Sequence, residues 1–181
     1  MKCTSCKQGH LVPSYLDTML PAHTCDHCGG SLLKLYDFFR WRSEGGADHL
    51  SSESEIRVAA EESPQAMLCP KSGKLMTKYR IAANSEHKLD FSSEINAVWL
   101  DRGEWDLLKA NGLATQLSSI FTEHWQHEIR DQESREIMEQ LYTKKFGKDY
   151  AYLMEVRAFL DGLESRHEAL AFLMSDDPFE A

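Results

Sequence analysis

Four cysteines within the first 28 residues have the type and spacing of a metal site. Cys3 and Cys6 bracket "CTSC", Cys25 and Cys28 bracket "CDHC", and eighteen residues separate the two pairs. Two residues between cysteines let a tight turn aim both sulfurs at one ion and leave backbone N–H groups to bond the thiolates. A second such turn supplies the other half of a tetrahedron. Gly29 suits the tight backbone behind Cys28. The metal ligands expected are therefore Cys3, Cys6, Cys25 and Cys28, around one Zn2+. Four thiolates leave no open position for water or substrate, so the expected role of the ion is structural. Iron also takes four thiolates, and a CxxC pair can cycle as a redox couple, though no thioredoxin-like βαβ pattern surrounds these. His10, His23 and His27 lie nearby and are expected on the surface or behind the ligands.

The elements that must position these sulfurs are short and repeated. Residues 1–42 run "MKCTSCKQGHLVPSYLDTMLPAHTCDHCGGSLLKLYDFFRW" and then Arg42, and residues 67–112 contain "MLCPKSGKLMTKYRIA" followed by "HKLDFSSEINAVWLDRGEWDLL". Aligned, Cys3 falls on Cys69, Cys6 on Ser72, Cys25 on Ser92 and Cys28 on Ile95. Leu11, Val12 and Tyr15 fall on Leu75, Met76 and Tyr79, and Gly29-Gly30 on Asn96-Ala97. Order and spacing agree together, as in an internal duplication. "KLMTKYRIA" and "HKLDFS" read as two strands joined by a polar turn. "LDRGEWDLLKANG" reads as a helix, with Asp101 as N-cap, Glu104 completing a capping box and Gly112 ending it.

Cys-x2-Cys, then Cys-x2-Cys-Gly-Gly, then an apolar run and a short helix resembles the transcription factor IIB-type zinc-ribbon family of small bacterial proteins. That family usually ends close to "GGVWLDRGEL". Here the first copy keeps the ligands, while the second keeps "AVWLDRGEW" and only Cys69 of the four ligand positions. The resemblance implies zinc binding and a ribbon fold; transcription does not follow from it. The second copy is expected to be metal-free and held by Trp99, Leu100, Trp105, Leu107 and Leu108. The alternative is a site that recruits Asp90, His87 or a residue of a partner protein beside Cys69.

The expected fold class is α+β: two small β-rich zinc-ribbon-like modules, the second degenerate, followed by an α-helical C-terminal region. The segments are a four-cysteine ribbon at 1–42, an acidic serine-rich linker at 43–66, a degenerate ribbon with a short helix at 67–112, and a helical hairpin or bundle at 113–181. In the last, Ile120, Trp125, Ile129, Ile137, Met138 and Leu141 recur at helical spacing, and Tyr152, Val156, Phe159, Leu160 and Leu163 share a side of the next helix. Both sets read as core. A further capping box, Ser165 with Glu168, opens a helix that stops before Pro178.

Of the 181 residues, 42% are hydrophobic and 27% charged, the balance of a folded globular chain. No stretch reaches the length of a membrane span, and the start lacks a basic-then-apolar leader, so the cytoplasm is the expected compartment. The net charge is −9, yet residues 1–42 carry five Lys/Arg against three Asp/Glu. Overall acidity opposes non-specific nucleic-acid binding. "TEHWQHE" puts His124 and His127 on one helical face beside Glu123 and Glu128, a weak metal pattern without a third ligand. No phosphate loop or nucleophile-base pair is present, so no enzyme activity is expected. The favoured reading is a zinc-binding, non-catalytic adaptor that contacts another protein. Its competitor is a nucleic-acid-associated ribbon that uses Lys2, Lys7, Lys34, Arg40 and Arg42 with Phe38, Phe39 and Trp41.

Overall fold

The computed structural model describes residues 1–50, 60 and 65–179. It has an α+β fold, an antiparallel six-stranded sheet followed by a helical region. The first ribbon supplies β1 (Leu11–Asp17), β2 (Leu20–Cys25), β3 (Ser31–Lys34) and helix α1 (Leu35–Ser43). The second supplies β4 (Thr77–Ala82), β5 (Ser85–Ser92), β6 (Ala97–Leu100) and helix α2 (Glu104–Ala110). The sheet order is β1-β2-β3-β6-β5-β4. The ribbons thus share one sheet, fused where β3 pairs with β6.

That junction carries an internal two-fold relation. Aligning Cys25 with Ser92 also aligns Leu32 with Trp99, and these two stand opposite each other across the β3–β6 pair. Ser31 faces Leu100 and Leu33 faces Val98, as a two-fold through the Leu32–Trp99 pair requires. Asn96 adopts a positive φ of 46° where the first copy has Gly29 at 75°. At the front of each copy the alignment shifts by one. Leu11 N–H bonds Met1 C=O at 2.7 Å, and Met76 N–H bonds Met67 C=O at 2.8 Å. Leu11 therefore corresponds to Met76, both buried, and not to the exposed Leu75. The cause is the first turn, which is one residue longer: Cys3 N–H reaches Gly9 C=O, whereas Cys69 N–H reaches Lys74 C=O.

Each face of the sheet buries its own apolar cluster. On one side lie the cysteine turns, Leu32 and Trp99. On the other, Leu33, Val98 and Leu100 pack under α1, α2 and the short helix α3 (Leu117–Ile120). Trp41 of α1 meets Trp105 of α2 edge to face at 5.9 Å. Their indole N–H groups donate to Thr18 O at 2.8 Å and to Asp17 Oδ2 at 3.0 Å, so both helices are tied to the β1–β2 turn.

The α2 start differs from the expected capping box. Asp101 is not the N-cap: its carboxylate accepts the Trp99 indole N–H at 2.7 Å, and the helix begins at Glu104 after Gly103 in a left-handed conformation. Half of the box survives, because Glu104 Oε2 accepts Asp101 N–H at 2.8 Å. Gly112, at φ +68°, ends the helix as expected.

The sheet's outer strands are irregular. Pro13 lies in β1, and register shifts interrupt β1 between Tyr15 and Asp17 and β4 between Arg80 and Ala82. The Gln126 side-chain amide accepts Arg80 N–H at 3.3 Å and donates to Arg80 O at 2.8 Å, and the Trp125 indole donates to Ile81 O at 3.2 Å.

The chain divides into two compact units, Met1–Gln132 and Glu133–Ala181. Helix α4 (Glu123–Phe146) straddles the division, and α5 (Tyr150–Asp161) and α6 (Arg166–Met174) belong to the second unit. Ile120 and Ile129 are buried and Trp125 packs against the sheet cluster, but Ile137, Met138 and Leu141 are exposed. On α5, Leu160 is buried while Tyr152 and Phe159 are exposed. The helical spacing is real, but of the side chains expected in the core beyond Gln132 only Leu160 is buried; Val156 and Leu163 are half-buried and the others exposed. In the segment read as a linker, Gly46–His49 forms a 3-10 turn. Positions 51–59 and 61–64 of that segment lie outside the described residues.

Candidate metal centre

The structure brings Cys3, Cys6, Cys25 and Cys28 together. Their sulfurs all lie within 4.8 Å of one another. Cys3 Sγ is 3.8 Å from Cys28 Sγ, and Cys6 Sγ is 3.7 Å from Cys25 Sγ. A tetrahedron with zinc–sulfur bonds of about 2.3 Å has sulfur–sulfur edges of about 3.8 Å. The donor set therefore fits a zinc ion in spacing as well as in chemistry. All four thiols are free, and these separations are far beyond a disulfide bond.

The two turns prepare the sulfurs. Gly9 N–H points at Cys6 Sγ at 3.4 Å, and His27 N–H at Cys25 Sγ at 3.5 Å. The turns are latched to each other, with His10 N–H donating to Asp26 Oδ1 at 2.7 Å and Asp26 N–H to His10 O at 3.1 Å. A Cβ on Gly9 would stand 2.5 Å from Cys25 Sγ, so only glycine lets the first turn close over the second. Backbone N–H groups of Gly9 and Gln8 pull the Cys6 thiol down to about 6. Burial pushes Cys3 and Cys28 up. Without a cation the buried thiols favour their protons, and a divalent ion reverses that preference by pairing with thiolates.

The second copy fills the equivalent positions with other chemistry. Cys69 is fully buried, and Ser72 and Ser92 stand where Cys6 and Cys25 stand in the first. Burial acts to raise the Cys69 thiol, but hydrogen bonds from the Ser72 and Ser92 hydroxyls, with backbone N–H groups of Ser72 and Lys71, outweigh it and hold the thiol below its ordinary value. Lys74 N–H donates to Ser72 Oγ at 3.4 Å, as Gly9 N–H does to Cys6. Ile95, in place of Cys28, packs into the apolar cluster of that face. Asp90 pairs with Lys78 at 2.8 Å, and His87 Nε2 lies 2.5 Å from Glu104 Oε1. Among the described residues, the four cysteines of the first copy are the one cluster suited to a metal.

The remaining sequence candidates disperse. His10 and His27 are exposed and His23 half-buried, outside the sulfur cluster. His124 and His127 lie on the solvent face of α4, paired with Glu128 at 3.5 Å and Asp131 at 3.0 Å. Of the aromatics offered to nucleic acid, Phe38 and Trp41 are buried; only Phe39 is exposed. Arg42 is stacked over Phe38 and Phe39 and donates to Thr115 O at 3.2 Å, and Arg40 pairs with Asp37.

Sequence reasoning missed three supports of the centre. Gly9 is one. Thr4, whose hydroxyl bonds Leu68 O at 2.5 Å and joins the two turns, is another. The third is the Gly30–Trp99 contact: a Cβ on Gly30 would meet the indole at 2.3 Å. The Gly-Gly after Cys28 was a visible signal for that approach, but its partner, sixty-nine positions on, was not.

Comparison with protein-family models, curated proteins and solved structures finds no match. The site's chemistry therefore rests on its geometry alone.

Proposed function

We propose that this chain is a zinc-binding, non-catalytic adaptor of the transcription factor IIB-type zinc-ribbon class, acting in the cytoplasm through contact with another protein. Cys3, Cys6, Cys25 and Cys28 hold one structural Zn2+, and the ion fixes the shape of the two turns that project from the sheet. The observation that carries this reading is the sulfur cluster at tetrahedral-edge spacing. Four thiolates close the coordination sphere, so the ion has no position at which to bind substrate or activate water. The burial of Phe38 and Trp41 removes much of the stacking surface that the nucleic-acid reading needs.

Two measurements test it. Elemental analysis of the purified full chain should return one zinc per chain; iron instead would give the visible absorption of a ferric tetrathiolate. Affinity capture from native lysate, with and without nuclease, should retain a protein partner after nuclease. Loss of every partner on nuclease treatment would move the assignment to a nucleic-acid contact.

A further inference from the structure

The internal two-fold sets a residue of each ribbon against the cysteine turn, or its counterpart, in the other. A Cβ on Gly29 would have three atoms of Arg102 as its nearest neighbours, Nε at 3.2 Å, Cγ at 3.7 Å and Cδ at 3.8 Å. The alignment that matches Leu32 with Trp99 also matches Leu35 with Arg102 and Gly29 with Asn96. The reciprocal contact is present, since Leu35 N–H donates to Asn96 O at 2.8 Å. One crossing therefore sets a buried leucine against the turn whose last ligand position holds Ile95. The other sets an arginine against the turn that carries Cys28. The side chain at each crossing follows the chemistry of the turn it meets.

Gly29 and Gly30 close the second cysteine turn. Gly29 N–H bonds Cys25 O at 3.1 Å, and Cys25 N–H bonds Gly30 O at 2.8 Å. Because Nε belongs to the guanidinium, charge as well as stem lies at this turn. Arg102 is exposed, and among the described residues no carboxylate pairs with it. Its segment is held in place by Trp99, whose ring abuts Gly30 and whose indole N–H donates to Asp101 at 2.7 Å. Four thiolates around a divalent ion leave a net charge of about −2. A cation fixed beside a ligand-bearing turn lowers the cost of gathering those charges, and groups just outside a metal's ligands tune its affinity.

We infer that Arg102 is the counter-charge of the metal centre, supplied by the ribbon that keeps only Cys69 of the four ligand positions. The second copy thereby takes part in holding the ion without ligating it. The inference rests on the zinc reading of the four cysteines, and the experiment separates the two.

Competition between the full chain and a chromophoric chelator for zinc, at fixed pH and salt, tests it. Arg102→Met keeps an unbranched stem and removes the charge, and should weaken zinc binding about tenfold. Arg102→Glu should weaken it further, while Arg102→Lys should stay near the wild type. Arg40→Gln makes the same change in net charge from helix α1, on the opposite face of the sheet, and should leave the affinity unchanged. Equal weakening by Arg102→Met and Arg102→Lys would assign the residue to packing and overturn the inference. So would an equal effect of Arg40→Gln. One zinc held as tightly by Arg102→Met as by the wild type would overturn this inference alone, whereas a wild-type chain that binds no zinc would overturn the zinc reading with it.

Discussion

Cys6 and Cys28 behave as opposites before any metal arrives, one thiol drawn down by turn N–H groups and the other pushed up by burial. Both become equal partners only around an ion. Cys6→Ser and Cys25→Ser should therefore each lower bound zinc from one equivalent to a small fraction, read by elemental analysis. Cys69→Ser should leave it at one, because the Cys69 thiol is enclosed by serine hydroxyls and not by thiols. Retained zinc in the first pair, or loss in the last, would place the ion elsewhere. A second residue prediction concerns Glu104, which burial pushes up to about 7 in spite of its His87 partner. A carboxyl raised on folding contributes stability in full below its unfolded value near 4.5 and loses that contribution as pH climbs through about 7. Glu104→Gln should gain on the wild type by up to about 3 kcal/mol between pH 5 and pH 8, from urea unfolding at matched metal content. A constant difference across that range would show that Glu104 does not titrate there.

The strands and helices were unevenly legible. The ligand spacing and the hairpin β4–β5 could be read because a short motif or a period-2 pattern lies within a few residues. "SLLK" and "AVWL" each read as an apolar run, but nothing local states that β3 and β6 pair with each other. Buried on both faces, they show no alternation to give a register. The Asp101 cap was misread for a similar reason: its carboxylate is taken by an indole two residues back, a choice made by the sheet and not by the helix. The helices beyond Gln132 show periodicity with little burial, Leu160 apart, since a repeat of 3.6 states which side is apolar and not how far it is covered. The fusion can be tested at Gly30. Gly30→Ala drives a methyl into Trp99 and should destabilise the whole sheet by about 1–3 kcal/mol. Loss confined to the first ribbon's hydrogen-exchange protection would contradict a shared core.

For the whole molecule, the two cysteine-bearing turns share one apolar cluster but offer a metal very different donors. Chelation should therefore free the amides of residues 1–10 and 25–30 to exchange, while β4, β5 and β6 keep their protection, since Trp99, Leu100 and Leu108 hold them without an ion. Collapse of the second ribbon on chelation would overturn its metal independence. The outer strands carry a different consequence. An exposed sheet edge is a template on which foreign chains add strands, and solitary ribbons would each present one at β3 or β6. Here each ribbon stoppers the other. Of the two edges that remain, β1 is broken by Pro13, which brings no N–H, and by its register shift; β4 is already bonded by the Gln126 amide and the Trp125 indole. Both remaining edges are thereby blunted against the strand addition that amyloid-like stacking and edge-docking ligands use.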